Sequence, residues 1–314
     1  MLNILLNNKF FRLLFKGIAS LHEWKVFGKV FLNIIVMSVI LFVLYLFPLG
    51  MFMAPFYSIT TNTTKDIKVY NKIVGETTIR SIQTTINDLQ KETLVTNFIG
   101  IRNYIDNKYY EQVGQIEMIR IAMITIENNL ARNRGTGGAN KYLVQARADV
   151  YADYEIPIFT SYDTRLKQAY NNLEKYISQL KIDQTKLMIN KDAVFIVNSD
   201  NLAEVIDKLK QQLQTNIMIK SSFFTDDDKF YRLKGNLITM HNFLQGIEVD
   251  FKSKMKDKSS YEENFIPLME HIQNAIMQNH IVILESLGHL SKLEKEVNII
   301  AQKLGELRDK LKNG

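Results

Sequence analysis

From residue 30 to residue 64 the chain carries no charged side chain, an uninterrupted run of 35 positions. Roughly 20 apolar helical residues cross a bilayer core of ~30 Å. Residues 30–53 supply them, with only Asn33 and Ser38 as polar interruptions. A buried helix of a soluble protein normally shows a polar face over that length, so the run predicts a transmembrane helix. Removal as a secretion signal would need small residues before the cut. Ala54 is the natural place, but Phe52 two positions earlier is large and Pro55 follows at once. The expectation is therefore an uncleaved signal anchor at 30–53, loosened at its far end by Pro48, Gly50 and Pro55. A basic leader (1–29) precedes it and a polar connector (54–66) follows. Lys9, Arg12, Lys16, Lys25 and Lys29 are opposed in the leader only by Glu23. This excess holds the N-terminus in the cytoplasm. Trp24, Lys25 and Lys29 sit where interfacial anchors belong, and membrane lipid is the first expected partner. Residues 2–21 read either as a helix lying flat on an anionic leaflet or as a frayed basic leader. With no second long apolar run, the chain is expected to pass once through a bacterial inner membrane, its bulk periplasmic.

The leader also accounts for most of the formal charge of +6. The rest of the chain mixes both signs and forms no phosphate-tracking stripe, which argues against a nucleic-acid partner. The chain has no cysteine, which excludes disulfides, thiolate zinc sites and thiol catalysis together.

Beyond the connector the hydrophobic period is helical. Ile79, Ile82, Ile86 and Leu89 recur at three- and four-residue steps, as do Ile116, Ile119, Met123 and Ile126 in a segment of about 103–133. RNRGTGGAN, around Gly135 to Ala139, ends that segment; it lacks the Lys-Ser/Thr of a phosphate loop. Residues 139–152 are weakly helical. Thr160 with Asp163 forms a capping box before the stripe Leu166, Tyr170, Leu173, Ile177 and Leu180. Val194 to Val197 reads as a short strand or, since no partner strand is evident, an extended docking segment, and Ser199 or Asp200 caps a helix to about Thr215. Thr225 with Asp228 forms a second box before Leu233, Leu237, Met240, Leu244, Ile247 and Phe251. The three aspartates 226–228 suit a helix start and lack the spacing of an EF-hand. Ser259 or Ser260 caps a last helix, about 266–312, with Pro267 in its first turn. There Leu290, Leu293, Val297, Ile300, Leu304, Leu307 and Leu311 follow a 3.5-residue period over three heptads. These heptads either pack along helices of the same chain or pair between chains. The predicted fold is all-α, a periplasmic bundle of long helices (67–314) behind one membrane helix.

Little in the sequence points to chemistry. His271, His280 and His289 are nine residues apart, so on one helix neighbours face opposite sides, and the outer two lie about 27 Å apart. They make a poor metal site. Glu248 and Asp250 in IEVDF are two apart and point to different faces, a poor acid–base pair, although one of them can line a buried polar contact. G-x-S-x-G, H-E-x-x-H and S-x-x-K are absent. No catalytic, metal or cofactor residue is expected.

Three stretches occur in a recognisable order: IDNKYYEQVGQIEMIRIAMITIENNLAR (105–132), SYDTRLKQAYNNLEKYISQL (161–180) and DDKFYRLKGNLITMHNFLQGIEVDF (227–251). Asn107, Glu111 and Arg120, then Leu173 and Tyr176, then the run Ile247 to Phe251, resemble the domain-of-unknown-function family twenty-three thirty-three, single-pass inner-membrane proteins of proteobacteria. The resemblance covers roughly residues 95–255 plus the N-terminal span. The tail departs from it: where relatives are glycine-rich, this chain has ILESLGHLSKLEKEVNII, with Gly288 alone. The resemblance implies an envelope location and transfers no catalytic residue. The functional expectation is a non-enzymatic adaptor or scaffold that binds other envelope proteins or its own copies. A periplasmic ligand-binding or sensing domain, and a metal-free hydrolase using two distant carboxylates, are the alternatives.

Overall fold

The computed structural model describes residues 33–38, 67–70, 73–91, 106–132, 138–153, 162–185, 192–220, 225–278 and 288–313. The chain divides into two compact units, Met1–Met53 and Ala54–Gly314. In the first, residues 33–38 are helical, and Ile34, Ile35, Val36 and Met37 are exposed. Among the described residues no helix is long and apolar enough to cross a membrane. The rest of the expected span, Trp24, Lys25, Lys29, the connector and Thr160 lie outside the described residues.

In the second unit all described regular structure is helical. Its elements are α1 (Glu76–Lys91), α2 (Asp106–Thr125), α3 (Lys141–Val150), α4 (Tyr162–Thr185), α5 (Ser199–Ile217), α6 (Asp226–Asp257), α7 (Ile266–Ile276) and α8 (His289–Asn313). α2 runs on into a π-turn at Ile126–Leu130. The widening starts at Thr125, whose hydroxyl donates to the carbonyls of both Ile121 and Ala122 (3.0 and 2.8 Å), a back-bond that loosens a helix.

α6, 32 residues and thus about 48 Å long, is the hub. α1 lies antiparallel to it, pairing Thr78 with Asp250 and Thr85 with Asn242. α2 runs alongside α6 in the same direction. Near its start Gly114 and Gly235 meet backbone to backbone. A Cβ on Gly114 would fall 2.0 Å from the Arg232 carbonyl oxygen, and one on Gly235 would fall 2.0 Å from that of Glu111. Near its end the chain docks through Ile196, whose N–H donates to Leu130 O (2.7 Å), while Phe195 meets Phe251 edge-on. Residues 194–198 form neither helix nor strand. The apolar faces of all eight helices join one core; Ile79, Ile82, Ile86, Ile116, Leu237 and Leu244 are fully buried.

Four local expectations need correcting. The cap of α5 is Asn198, whose side chain accepts from Asn201 N (2.7 Å), rather than Ser199 or Asp200. Thr225 stands at the N-cap of α6 with φ −135° and ψ 10°, a geometry in which its side chain makes no cap bond. Ser260 spends its hydroxyl on Met255 O (3.0 Å), closing the end of α6. The single helix of 266–312 is two helices: α7 ends at Ile276, and α8 starts after Gly288, which has φ +69°. The pair pack against each other, joined by His271 Nδ1 and Glu296 (3.2 Å). A histidine spacing argued on one continuous helix therefore does not apply; His289 opens α8, and His280 lies outside the described residues.

Candidate functional site

The run IEVDF lies near the end of α6, and each of its side chains has a separate task. Ile247 and Phe251 are fully buried. Glu248 accepts from the Tyr261 hydroxyl and sits 3.7 Å from Lys252. Asp250 faces the start of α1: its carboxylate accepts from Gly75 N (2.9 Å), Thr78 N (2.9 Å) and the Thr78 hydroxyl (2.6 Å). These are N–H groups that a helix start leaves without an intrahelical partner, so Asp250 caps α1 from a distant part of the sequence. Gly75, at φ +87°, makes the turn into α1 under the Phe195 ring. The two carboxylates are engaged by different neighbours, as their spacing predicts.

The other residues that carry the resemblance behave alike. Arg120 donates to Val150 O (3.0 Å) and Ala152 O (2.8 Å), closing the end of α3. The Tyr176 hydroxyl donates to Val194 O (2.5 Å) and pins the segment before α5; burial pushes its pKa well up. Leu173 is fully buried. At the α1–α4 contact, Arg80 bridges Glu76 (2.8 Å) and Glu174 (3.1 Å), and Lys181 reaches Glu76 (2.8 Å). Burial raises both carboxyls, but their hydrogen-bonded partners outweigh it and hold them below the usual range.

Beside the Gly114–Gly235 crossing lies a buried polar cluster. Lys108 and Glu111 pair at 3.0 Å with side chains 4% and 2% exposed. Lys234 is also buried; desolvation lowers its pKa, Glu111 opposes that shift and Lys108 adds to it. Isolated glycines inside two long helical patterns are the sequence signal of such a close approach.

A small cleft of about 170 Å³ opens at the start of α6, lined by Tyr110, Asn216, Lys220, Asp228, Lys229 and Arg232, among others. Two of its cations are held by carboxylates: Lys229 by Glu294 at 2.6 Å, and Arg232 by Glu117 through two N–H groups. The heptad residues Leu290, Leu293, Val297, Ile300, Leu304, Leu307 and Leu311 are all buried within this chain. α8 lies along α5, and Arg308–Asp207 (2.7 Å) and Lys312–Glu204 (2.8 Å) flank the seam. The 3.5-residue period is thus occupied by an intrachain helix pair.

No curated protein and no solved structure matches the chain. A family model does match, over residues 19–215. That stretch takes in Asn107, Glu111, Arg120, Leu173 and Tyr176 and stops before the run Ile247 to Phe251. The chain belongs to DUF2333, a family described as uncharacterized proteins conserved in bacteria.

Proposed function

We propose that the protein is a non-enzymatic adaptor or scaffold of the bacterial envelope, held to the inner membrane by residues 30–53, with its helical unit in the periplasm. The observation that carries this reading is the use made of its polar side chains. Asp250, Arg120 and Tyr176 each bond backbone groups of a distant segment, which fixes the helices relative to one another. A rigid array of long helices behind an apolar, charge-free run suits a protein that presents surfaces to partners. Other envelope proteins are the partners proposed. Crosslinking in intact cells, then extraction in mild detergent, tests this. A discrete larger complex with other envelope proteins is expected; a lone monomer or a simple homo-oligomer would count against it.

The cleft at the start of α6 favours a second reading, a small-ligand domain. At about 170 Å³ it is below the usual ligand pocket of roughly 300–1,000 Å³, so only a small polar molecule fits. Screening amino acids and small carboxylates for a rise in melting temperature that Arg232→Gln abolishes would establish it.

A further inference from the structure

The chain enters the helical unit at one particular end of the bundle. Thr77 Oγ1 holds both the N–H and the carbonyl of Tyr70 (3.0 and 3.1 Å), and Gly75 N–H donates to Asp250. At that end α6 continues seven residues past Asp250, about 10 Å, with Phe251 and Met255 buried in the core. The other face of this last stretch bears Lys252, Lys254 and Lys256, with side chains 46%, 42% and 53% exposed. Their nearest carboxylates are 3.5–4.0 Å away; such exposed pairs are weak and readily exchanged.

Aliphatic side chains are exposed at the same end. Val69 and Val74 belong to the incoming segment and are 51% and 48% exposed. Ile182 is 47% exposed and lies two residues before Gln184, whose amide grips both backbone groups of Val74 (3.0 and 2.9 Å). Ile266, 39% exposed, begins α7 after the turn that follows α6. A helix dipole accounts for lysines near a C-terminus but not for aliphatic side chains left in water. Aliphatic tips beside ammonium groups fit the boundary between acyl chains and phosphates. Glu248, Asp257, Glu262 and Glu263 lie among the lysines, so the attraction is local contact and not a long-range field.

We infer that this end of the helical unit docks on a phospholipid surface, with Val69, Val74 and Ile182 at the acyl boundary and Lys252, Lys254 and Lys256 on headgroup phosphates. The inference rests on the membrane-anchored reading above. Its test uses the full chain reconstituted into vesicles of phosphatidylcholine, with or without phosphatidylglycerol, and a water-soluble amine-acylating reagent read by mass spectrometry. Lys220, before α6 and beside its start, is the internal standard. With phosphatidylglycerol, acylation of the three lysines should fall roughly fivefold relative to Lys220, and the double variant Val74→Asn, Ile182→Asn should restore it. Acylation of the three lysines no lower than that of Lys220 in both vesicle types, from a chain that resists carbonate extraction, would overturn docking while leaving the anchor intact. Release by carbonate would overturn the anchor and the docking together. Protection in cells but in neither vesicle type would overturn lipid docking and assign this end to a protein partner.

Discussion

Asp250 is the residue whose loss should be felt furthest from its own position. Asp250→Ala leaves two N–H groups and a hydroxyl of α1 without their acceptor, a cost of about 1–3 kcal/mol, measurable by urea unfolding. Its titration gives a second readout. Burial is the largest influence and raises the carboxyl above its ordinary value, against the bonds from Thr78 and Gly75 that favour the ion. A carboxyl raised by folding holds its proton more tightly in the native state. Its contribution is therefore greatest in acid and falls as pH climbs from the unfolded value through the folded one. Asp250→Asn should flatten that fall, which begins near the ordinary carboxylate pKa of about 4 and runs upward from it; an unchanged slope of stability against pH would sink the assignment. Glu111→Gln is a harsher test of the buried cluster, because it removes the carboxylate that faces Lys108 and Lys234. Breaking a buried pair from one side costs about 3–5 kcal/mol, so the unfolding midpoint should drop sharply. The IEVDF spacing already separates Glu248 from Asp250 in sequence. Their partners were not legible: Thr78 meets Asp250 only through the packing of α1 on α6, 172 residues apart, and Tyr261 meets Glu248 only because the chain turns back after α6.

At the scale of helices, the glycines rank themselves. Gly114→Ala and Gly235→Ala each drive a methyl against a backbone carbonyl at 2.0 Å, whereas at Gly246 the nearest atoms are Ser81 Oγ and Thr78 Cα at 2.8 Å. Overpacking of this kind costs about 1–3 kcal/mol or more. The first two variants should lose the most, Gly246→Ala less, and Gly138→Ala, with nothing within 4 Å, close to none. Equal melting temperatures across the four would remove the close crossing. α8 gives the other test. Leu304→Ala should cost about 2–5 kcal/mol, and deletion of 290–314 should unfold the unit by removing the helix that lies along α5. A deletion that impaired only complex formation would instead point to an interchain role. The heptad period was plain in sequence, but a period specifies an apolar stripe and not which helix covers it. The break between α7 and α8 was hidden because no proline marks it and Gly288 is a lone glycine in a helical context.

For the whole molecule, helix content and most apolar stripes could be read in advance, since burial on one face of a helix imposes its own spacing. Tyr176 and Asn198 show where that reading stops. One is an aromatic off the assigned stripe that is nonetheless fully buried, and the other a cap one residue earlier than assigned. Because one continuous core joins α1 to α8, amides of the two helices should share one global opening in hydrogen exchange; separate protection for α8 would show that it docks as an independent part. Asp250 also sets an order in time. The turn it caps is made 175 residues earlier in the chain. At roughly 5–20 residues per second, α1 exists for about 10–35 s before its cap leaves the ribosome. Until then its first turn is satisfied only by water, and the N-terminal half of the protein must be kept from alternative partners while the rest is still being made.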